Sequence, residues 1–553
     1  MRLKTRLCSS LAKIFPQEDP QGVPYHSASA LKGERFSFQF VFHTKKQWDP
    51  FRVEVESALC EYIRVRKVEL VPVPSLSPFL PEEWAEEDLI SHQPGLYPDL
   101  LEELPDPYYP LPDAWNALWI TVELPETIQG GRYPIRLRLR ESGATAGEQV
   151  LILDVLDFVL PPQKLICTSW VHADCLAVYY DTPMWSENHW SILKKFIRSA
   201  VRHGINMLYT PLLTPPLDTA PGEERPTTQL IGIRKKKGDY FFDFSRLDRW
   251  INMAQNSGMN YFEFSHLFSQ WGARYAPKVV ADVNGTEQRI FGWETSGTDP
   301  EYRKFLAQLL PQLTDFLIRK NLRKQCYFHC SDEPNRKQVE SYREAFLFLH
   351  KFLKEFHLFD AMSDTGVARR IPEVIPIPAE EHIKTFALQR PEQLWTYYSC
   401  TSQKKVSNRF LHMPSSRNRI LGALLYRYGI SGFLNWGFNF YYSGLSRFPL
   451  DPFRRTDAGG AFPPGDAFLV YPGRNGAPLD SIHYEVFAEA LQDFRVLSLL
   501  ERYLHRDKIM DMLDHHSPGG RMTMTEYPRG ENAVLSLRKR INKCLAGSVK
   551  ETS

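Results

Sequence analysis

Two carboxylates stand side by side at Asp332-Glu333, after the short apolar run Cys326-Tyr-Phe-His-Cys-Ser and directly before Pro334. Adjacent acids can divide proton work, because like charges held together drive their pKa values apart and leave one acid and one base. Most Asp-Glu pairs are simply solvated surface. Here an apolar run leads in, a proline ends it, and helical patterns lie on both sides. That context puts the pair at the C-terminal tip of a strand, where a (β/α) barrel presents its catalytic groups.

The flanking chain supplies the other strands. From about residue 165 the pattern alternates strand and helix eight times over about 270 residues, the length and order of a TIM-type barrel. The strand candidates are 166–174, 205–210, 259–266, 326–333, 358–364, one within a less regular unit at 370–392, 394–400 and 432–437. Ser245 and Asp299 are expected to cap helices, the latter with Pro300 at the first position. Only residues at strand ends should reach the site. His172 and Asp174 end the first strand. His266, Gln270 and Trp271 follow the third, and Asp364 the fifth. The seventh offers Tyr397 and Tyr398, of which a regular strand points only one at the pocket; Tyr398, nearer the C-terminal end, is the expected one. The eighth offers Asn435 and Trp436.

Before the barrel, Phe36–Phe42, Arg52–Glu56, Tyr62–Arg66, Leu118–Leu124 and Ile135–Arg140 alternate with period two. Such strands, separated by turns like Gln129-Gly-Gly-Arg132, build a β-sandwich. The Pro- and acid-rich segment 74–114, including Gly95-Leu-Tyr-Pro-Asp99, reads as a long ordered loop. The expected architecture is therefore multidomain β plus α/β. An N-terminal β-sandwich (1–162) precedes a (β/α)8 catalytic barrel (163–504) and a C-terminal helical extension with a polar tail (505–553). Glu485 and Asp493, inside the last barrel helix, are assigned to structure. Asp466 reads equally as a turn residue or a ligand, and Arg234-Lys-Lys-Lys237 reads as a solvated loop.

Bulk composition excludes several classes. A net charge of +2 over 553 residues gives no electrostatic case for nucleic acid or an anionic membrane. No stretch approaches a membrane span. The 8 cysteines contain no CxxC, no Gly-rich phosphate loop appears, and no metal or organic cofactor is called for. The basic N-terminus has its apolar run broken by Lys13, so no signal peptide is expected and the protein is read as cytoplasmic. Aromatic content of 13% leaves ample rings for a core and for stacking on sugars. Oligomeric state is left open.

Asp332-Glu333-Pro334, Trp170-Val-His-Ala-Asp174, Thr214-Pro-Pro-Leu-Asp-Thr219 and Gly465-Asp-Ala-Phe-Leu-Val-Tyr-Pro-Gly473, with Ser481 and Glu485 beyond, together resemble glycoside hydrolase family 123. That family contains β-N-acetylgalactosaminidases. The resemblance covers the barrel, and the β region before it looks like the family's N-terminal sandwich. It implies an exo-acting, retaining enzyme releasing a terminal β-linked 2-acetamido sugar from a glycan, with the sugar's own acetamido oxygen as nucleophile. Asp332 would accept the acetamido N–H, and Glu333 would protonate the leaving oxygen and then activate water. Trp436 would wall the acetamido pocket and Tyr398 would donate to its carbonyl, while His172, Asp174, His266, Trp271 and Asn435 would bind substrate. A β-N-acetylglucosaminidase or general hexosaminidase, and a non-catalytic carbohydrate-binding protein on the same scaffold, are the alternatives.

Overall fold

The structure, a computed structural model, describes residues 3–45, 49–76, 88–389, 391–403 and 405–548. Its N-terminal part is two packed sheets. One is antiparallel, ordered Lys4–Ser9, Arg35–His43, Trp115–Glu123, Ile63–Val73, Gly95–Glu103. The other is ordered Ser27–Lys32, Ala144–Val159, Gly131–Glu141, Phe51–Glu56. Phe36, Phe38, Phe40 and Phe42 from the first meet Ile135, Leu137 and Leu139 from the second. Alternating with those last three, Arg138 and Arg140 face outward to Glu56, Glu148 and Glu54. This is the period-two alternation of a half-solvated sheet.

Gly95–Glu103 is a strand, not a loop. Pro98 weakens its strand signature, but it lies at the sheet edge, where a missing N–H is tolerated. It also docks the barrel: the Asp99 carboxylate accepts from Tyr471 Oη and contacts His483 Nδ1, both at 2.8 Å. Residues 77–87 of the same expected loop lie outside the described residues.

Eight parallel strands form the barrel. They are β1 (Ile166–Ser169), β2 (Met207–Thr210), β3 (Tyr261–Phe264), β4 (Cys326–Phe328), β5 (His357–Ala361), β6 (Ile375–Ile377), β7 (Trp395–Tyr397) and β8 (Gly432–Asn435). The ladder runs from β6 back through β1 to β8 and β7, and a parallel bridge from Ala379 to Tyr397 joins its ends. Met207, Tyr209, Tyr327, Phe359, Trp395 and Leu434 fill the interior. Full helices follow β1 to β4: α1 (Glu187–Arg202), α2 (Ser245–Gln255), α3 (Pro300–Arg319) and α4 (Val339–Leu353). Asp299 caps α3 as expected. Ser245 does not cap α2; it is the first helical residue and donates its hydroxyl to Asp243. The span after β2, read as a loop, carries Gly232–Lys236 and Asp239–Asp243, which join Val279–Val283 and Thr286–Phe291 in a small sheet. Arg234 to Lys236 therefore belong to a strand.

The last barrel helix, Ile482–Leu500, is buried on nearly every side. Glu485, Glu489 and Asp493, four apart, form one charged stripe along it. Arg35 and Arg66 of the sandwich hold Glu485, each at 2.5 Å. Arg419 holds Glu489 and Asp493. Arg538, on the C-terminal helix Glu531–Ser548, bonds both Asp493 and Glu34 of the sandwich. That helix thus ties sandwich and barrel together. Among the described residues no helix is long and apolar enough to cross a membrane.

Candidate active site

Beyond β4 the chain keeps its alternation. Phe328 and Cys330 face the surrounding helices and join the outer core, whereas Tyr327 and His329 face inward, His329 onto the cavity. Ser331 then anchors the tip by donating to the Ser269 carbonyl at 2.7 Å. The next residue, Asp332, is buried; its Oδ2 accepts from Gln270 Nε2 at 2.8 Å and its carbonyl from the Trp271 N–H at 2.9 Å. Glu333 has φ of 44°, a left-handed conformation strained for a side chain with a Cβ and seldom kept without a functional reason. It turns the carboxylate outward to where Tyr397 Oη donates to Oε1 at 2.6 Å.

These groups border a cavity of about 220 Å³ at the mouth of the barrel. Trp170 and His329, each the first residue past its strand, and Leu434 of β8 line it. Tyr397, Cys400, Trp436 and Phe462 line it further, and Asp218, Gln270 and the 47%-exposed Trp271 stand at its opening. Trp436 is fixed by donating its indole N–H to Asp466 at 3.1 Å. A Cβ on Gly437 would meet the Asp466 carbonyl at 2.4 Å, so only glycine lets the chain close there.

Electrostatics separate the acids. Burial, and then the facing Glu333, hold Asp332 well above the ordinary carboxylate range. Burial raises Asp218 to about 6 against the pull of the Leu445 N–H and Arg225. Its Oδ1 accepts from Leu445 N at 3.2 Å, while its buried Oδ2 has no protein partner. Burial likewise raises Asp466 to about 6, offset by Arg409 and Trp436.

Of the residues expected at the site, Asp332, Glu333, Trp271 and Trp436 border the cavity. The others do not. His172 and Asp174 lie past the end of β1, at the start of the helix Ala173–Tyr179, so period two no longer applies to them. Arg225 grips both Asp174 oxygens at 2.8 Å and approaches His172 Nδ1 at 3.3 Å, and His172 Nε2 donates to the Trp436 carbonyl at 3.1 Å. Burial, then Arg225, push His172 down to about 3, so it is a neutral strut behind Trp436. His266 is fully buried, stacked on His329 at 4.0 Å. Asn435 faces away from the cavity and spends its amide on Ser169 Oγ and the Gly437 carbonyl. Tyr398 also faces outward, against Phe433 and Arg409. The tyrosine on the cavity is Tyr397, because Trp395 and Tyr397 are the inward residues of β7.

Sequence reasoning offered Tyr397 only as the alternative to Tyr398, and gave no role to Asp218, His329, Glu263 or Asp360. Glu263 and Asp360 had a usable signal: each is a lone acid inside an apolar barrel strand, and buried acids are rare unless paired. Among the described residues, two clusters group three metal-ligand types, His266/His329/Asp360 and His203/Asp480/Glu485. In the first, both ring nitrogens of His329 already meet carboxylates. In the second, Arg35 and Arg66 occupy the acids. Neither arrangement suits a cation.

Residues 170–500 match the family model of the glycoside hydrolase 123 catalytic domain. The full chain is similar in structure to a family 123 glycoside hydrolase from Clostridium perfringens, described for glycolipid glycan hydrolysis. The TM-score is 0.73 at 14% identity, covering 100% of this chain and 98% of that one. A family 5 xyloglucanase from Bacteroides ovatus reaches a TM-score of 0.31 at 9% identity, covering 84% and 98%. No curated protein matches. A family match over more than half the chain, falling on the barrel that presents the paired acids, shows that the chain belongs to glycoside hydrolase family 123.

Proposed function

We propose that this glycosidase releases terminal β-linked N-acetylgalactosamine with retention, using the substrate's own 2-acetamido group as nucleophile. The observation that carries the reading is the placement of Asp332 and Glu333. They are consecutive at one strand tip, each with its own neutral partner, Gln270 and Tyr397. An enzyme nucleophile and its acid stand across the bond from one another, about 5–5.5 Å apart. Neighbours on one tip serve one side of the sugar and fit a substrate that brings its own nucleophile. The choice of N-acetylgalactosamine rests on the family.

In the open cavity burial, with Glu333 beside it, makes Asp332 hold a proton more readily than an ordinary carboxyl does. An acetamido N–H donated to Asp332 favours its ionised form and leaves the proton on Glu333, beside the glycosidic oxygen. Glu333 gives that proton to the leaving oxygen as the C1–O bond breaks, and the acetamido oxygen bonds to C1. The resulting oxazolinium is offset by the Asp332 carboxylate. Glu333 then takes a proton from water, which adds to C1, opens the ring and restores the acid. Holding the nucleophile in the substrate supplies the proximity advantage of an intramolecular reaction. Trp436 and Phe462, 4.9 Å apart between ring centroids, offer apolar faces for the acetamido methyl. Once Glu333 holds the proton, Tyr397 can turn its single hydroxyl hydrogen from Glu333 to the acetamido oxygen, and the Oδ2 of Asp218, which has no protein partner, can accept from a sugar hydroxyl.

Aryl β-GalNAc, β-GlcNAc, β-Gal and β-Glc substrates test this directly. The expected result is turnover of β-GalNAc, less of β-GlcNAc and none of the two without an acetamido group. Hydrolysis of β-Gal at a comparable rate would overturn it.

A further inference from the structure

Under the cavity lies a buried charge cluster that no step above uses. Tight burial surrounds it: His329, Glu263 and Asp360 are each no more than 1% exposed. His329 Nδ1 lies 2.8 Å from Asp360 Oδ1, and Nε2 lies 2.7 Å from Glu263 Oε1. The surrounding donors fix the direction of these bonds. Asp360 accepts from the Cys330 N–H at 3.1 Å and from Tyr342 Oη at 2.5 Å. Glu263 accepts from the Trp170 indole N–H at 2.7 Å and from the Thr168 hydroxyl. Both acids are therefore acceptors on every other side, and a ring with an acceptor at each nitrogen donates from both, as an imidazolium.

We infer that His329 is a positioning residue, a fixed imidazolium clamped by Glu263 and Asp360, whose charge favours the state in which Asp332 is ionised and Glu333 holds the proton. The inference rests on the roles proposed above for that pair. The imidazolium lines the same cavity as Asp332 and Glu333; burial, Glu333 and the nearby Asp360 hold the Asp332 carboxyl up, and the charge on His329 draws it down toward the ionised form. The other groups around the ring fit this assignment. Burial, and the neighbouring His329, hold stacked His266 well below its ordinary value, so it stays neutral. Burial keeps the phenols of Tyr209 and Tyr342 protonated. Burial raises Asp360, and His329 and Tyr342 pull it back. Burial also opposes the charge on His329, but its bonds to Asp360 and Glu263 prevail and hold it at about 9.

Two measurements on the full chain test this. Nitrogen-15 NMR of the histidine rings should show His329 protonated at both nitrogens at pH 7 and still so at pH 8, the resonance being assigned by its loss in His329→Gln. A neutral ring overturns the inference whatever the substrate turns out to be. Should that variant not fold, Asp360→Asn assigns the same resonance by bringing its titration down toward neutrality; no histidine resonance moving that way is the overturning result. The second measurement is the pH profile of kcat/KM on an aryl glycoside with a good leaving group, made in an Asp218→Asn background so that the acidic limb reports Asp332 and not Asp218. His329→Gln should move the acidic limb to higher pH by roughly 1–2 units. A uniform fall in rate with the limb in place means a structural role only and overturns the inference. Turnover of substrates lacking the acetamido group sinks the pair's proposed roles instead, and leaves the measured charge of His329 standing.

Discussion

Tyr397 donates its phenolic hydrogen to Glu333 at 2.6 Å, joining β7 to the acid at the tip of β4. Its neighbour Tyr398 is as deeply buried, but its hydroxyl has no hydrogen-bond partner and lies outside the barrel wall. The two tyrosines should therefore separate in experiment. Tyr397→Phe should lower kcat about 10- to 100-fold, the range of a hydrogen bond to a charged group. Tyr398→Phe should leave kcat/KM within about 2-fold and the melting temperature unchanged or higher, since it removes an unsatisfied buried polar atom. Steady-state kinetics and thermal melts of the two variants check both statements.

The acids should separate by leaving group. Glu333→Gln should lose about 10²- to 10⁴-fold on glycosides with poor leaving groups, the usual contribution of general acid catalysis, and far less on activated aryl glycosides. Asp332→Asn should lose about 10²- to 10³-fold on both, because it removes the counter-charge to the oxazolinium. A leaving-group series on each variant reads this out, and equal losses for Glu333→Gln across the series count against it as the acid.

Asp218 should show itself in binding rather than in chemistry. Its carboxyl titrates near 6, and only the ionised form can accept without donating. The wild-type KM should therefore rise as pH falls through about 6. In Asp218→Asn the KM should be about 10-fold higher at neutral pH, for loss of a charge-assisted hydrogen bond, and should no longer change in that window. A pH series of KM on both proteins decides the matter.

Stability should depend on the buried ions between sandwich and barrel. Arg35 and Arg66 pull Glu485 well below the ordinary carboxylate range against the cost of its burial. Glu485→Ala leaves both guanidinium groups without that partner and should destabilise the protein by about 3–5 kcal/mol. Activity per folded molecule should be kept, because Glu485 is not among the cavity residues. Denaturant unfolding alongside active-site titration measures the two quantities separately.

The barrel was legible because its strands and helices differ in period, and the order of all eight strands follows from that alternation. The adjacent acids were legible because an apolar run leads into them and a proline follows, although β4 itself ends at Phe328, short of the expected 333. What stayed hidden depended on orientation near strand ends. Asn435 and Trp436, being neighbours, point opposite ways in a strand, and the inward one is the residue in phase with Leu434. Tyr397 was passed over for the same reason, since proximity to the strand end says nothing about phase. His172 and Asp174 misled because the chain had already turned into a helix. Arg225, which binds them, arrives from a distant segment, and no spacing rule connects it to β1. The edge strand Gly95–Glu103 escaped because a proline at an edge looks like a loop.

The helix Glu531–Ser548 gives this enzyme an unusual constraint on exchange. Arg538 answers Asp493 in the barrel and Glu34 in the sandwich at once. A cut at the apparent domain borders would separate ions from their counter-ions while leaving every cavity residue in place. The part that performs hydrolysis and the part that can be inherited are therefore different in extent. A barrel transplanted between relatives has to travel with its sandwich and its last helix, and drift at Arg538 has to be matched at two places far away in the chain.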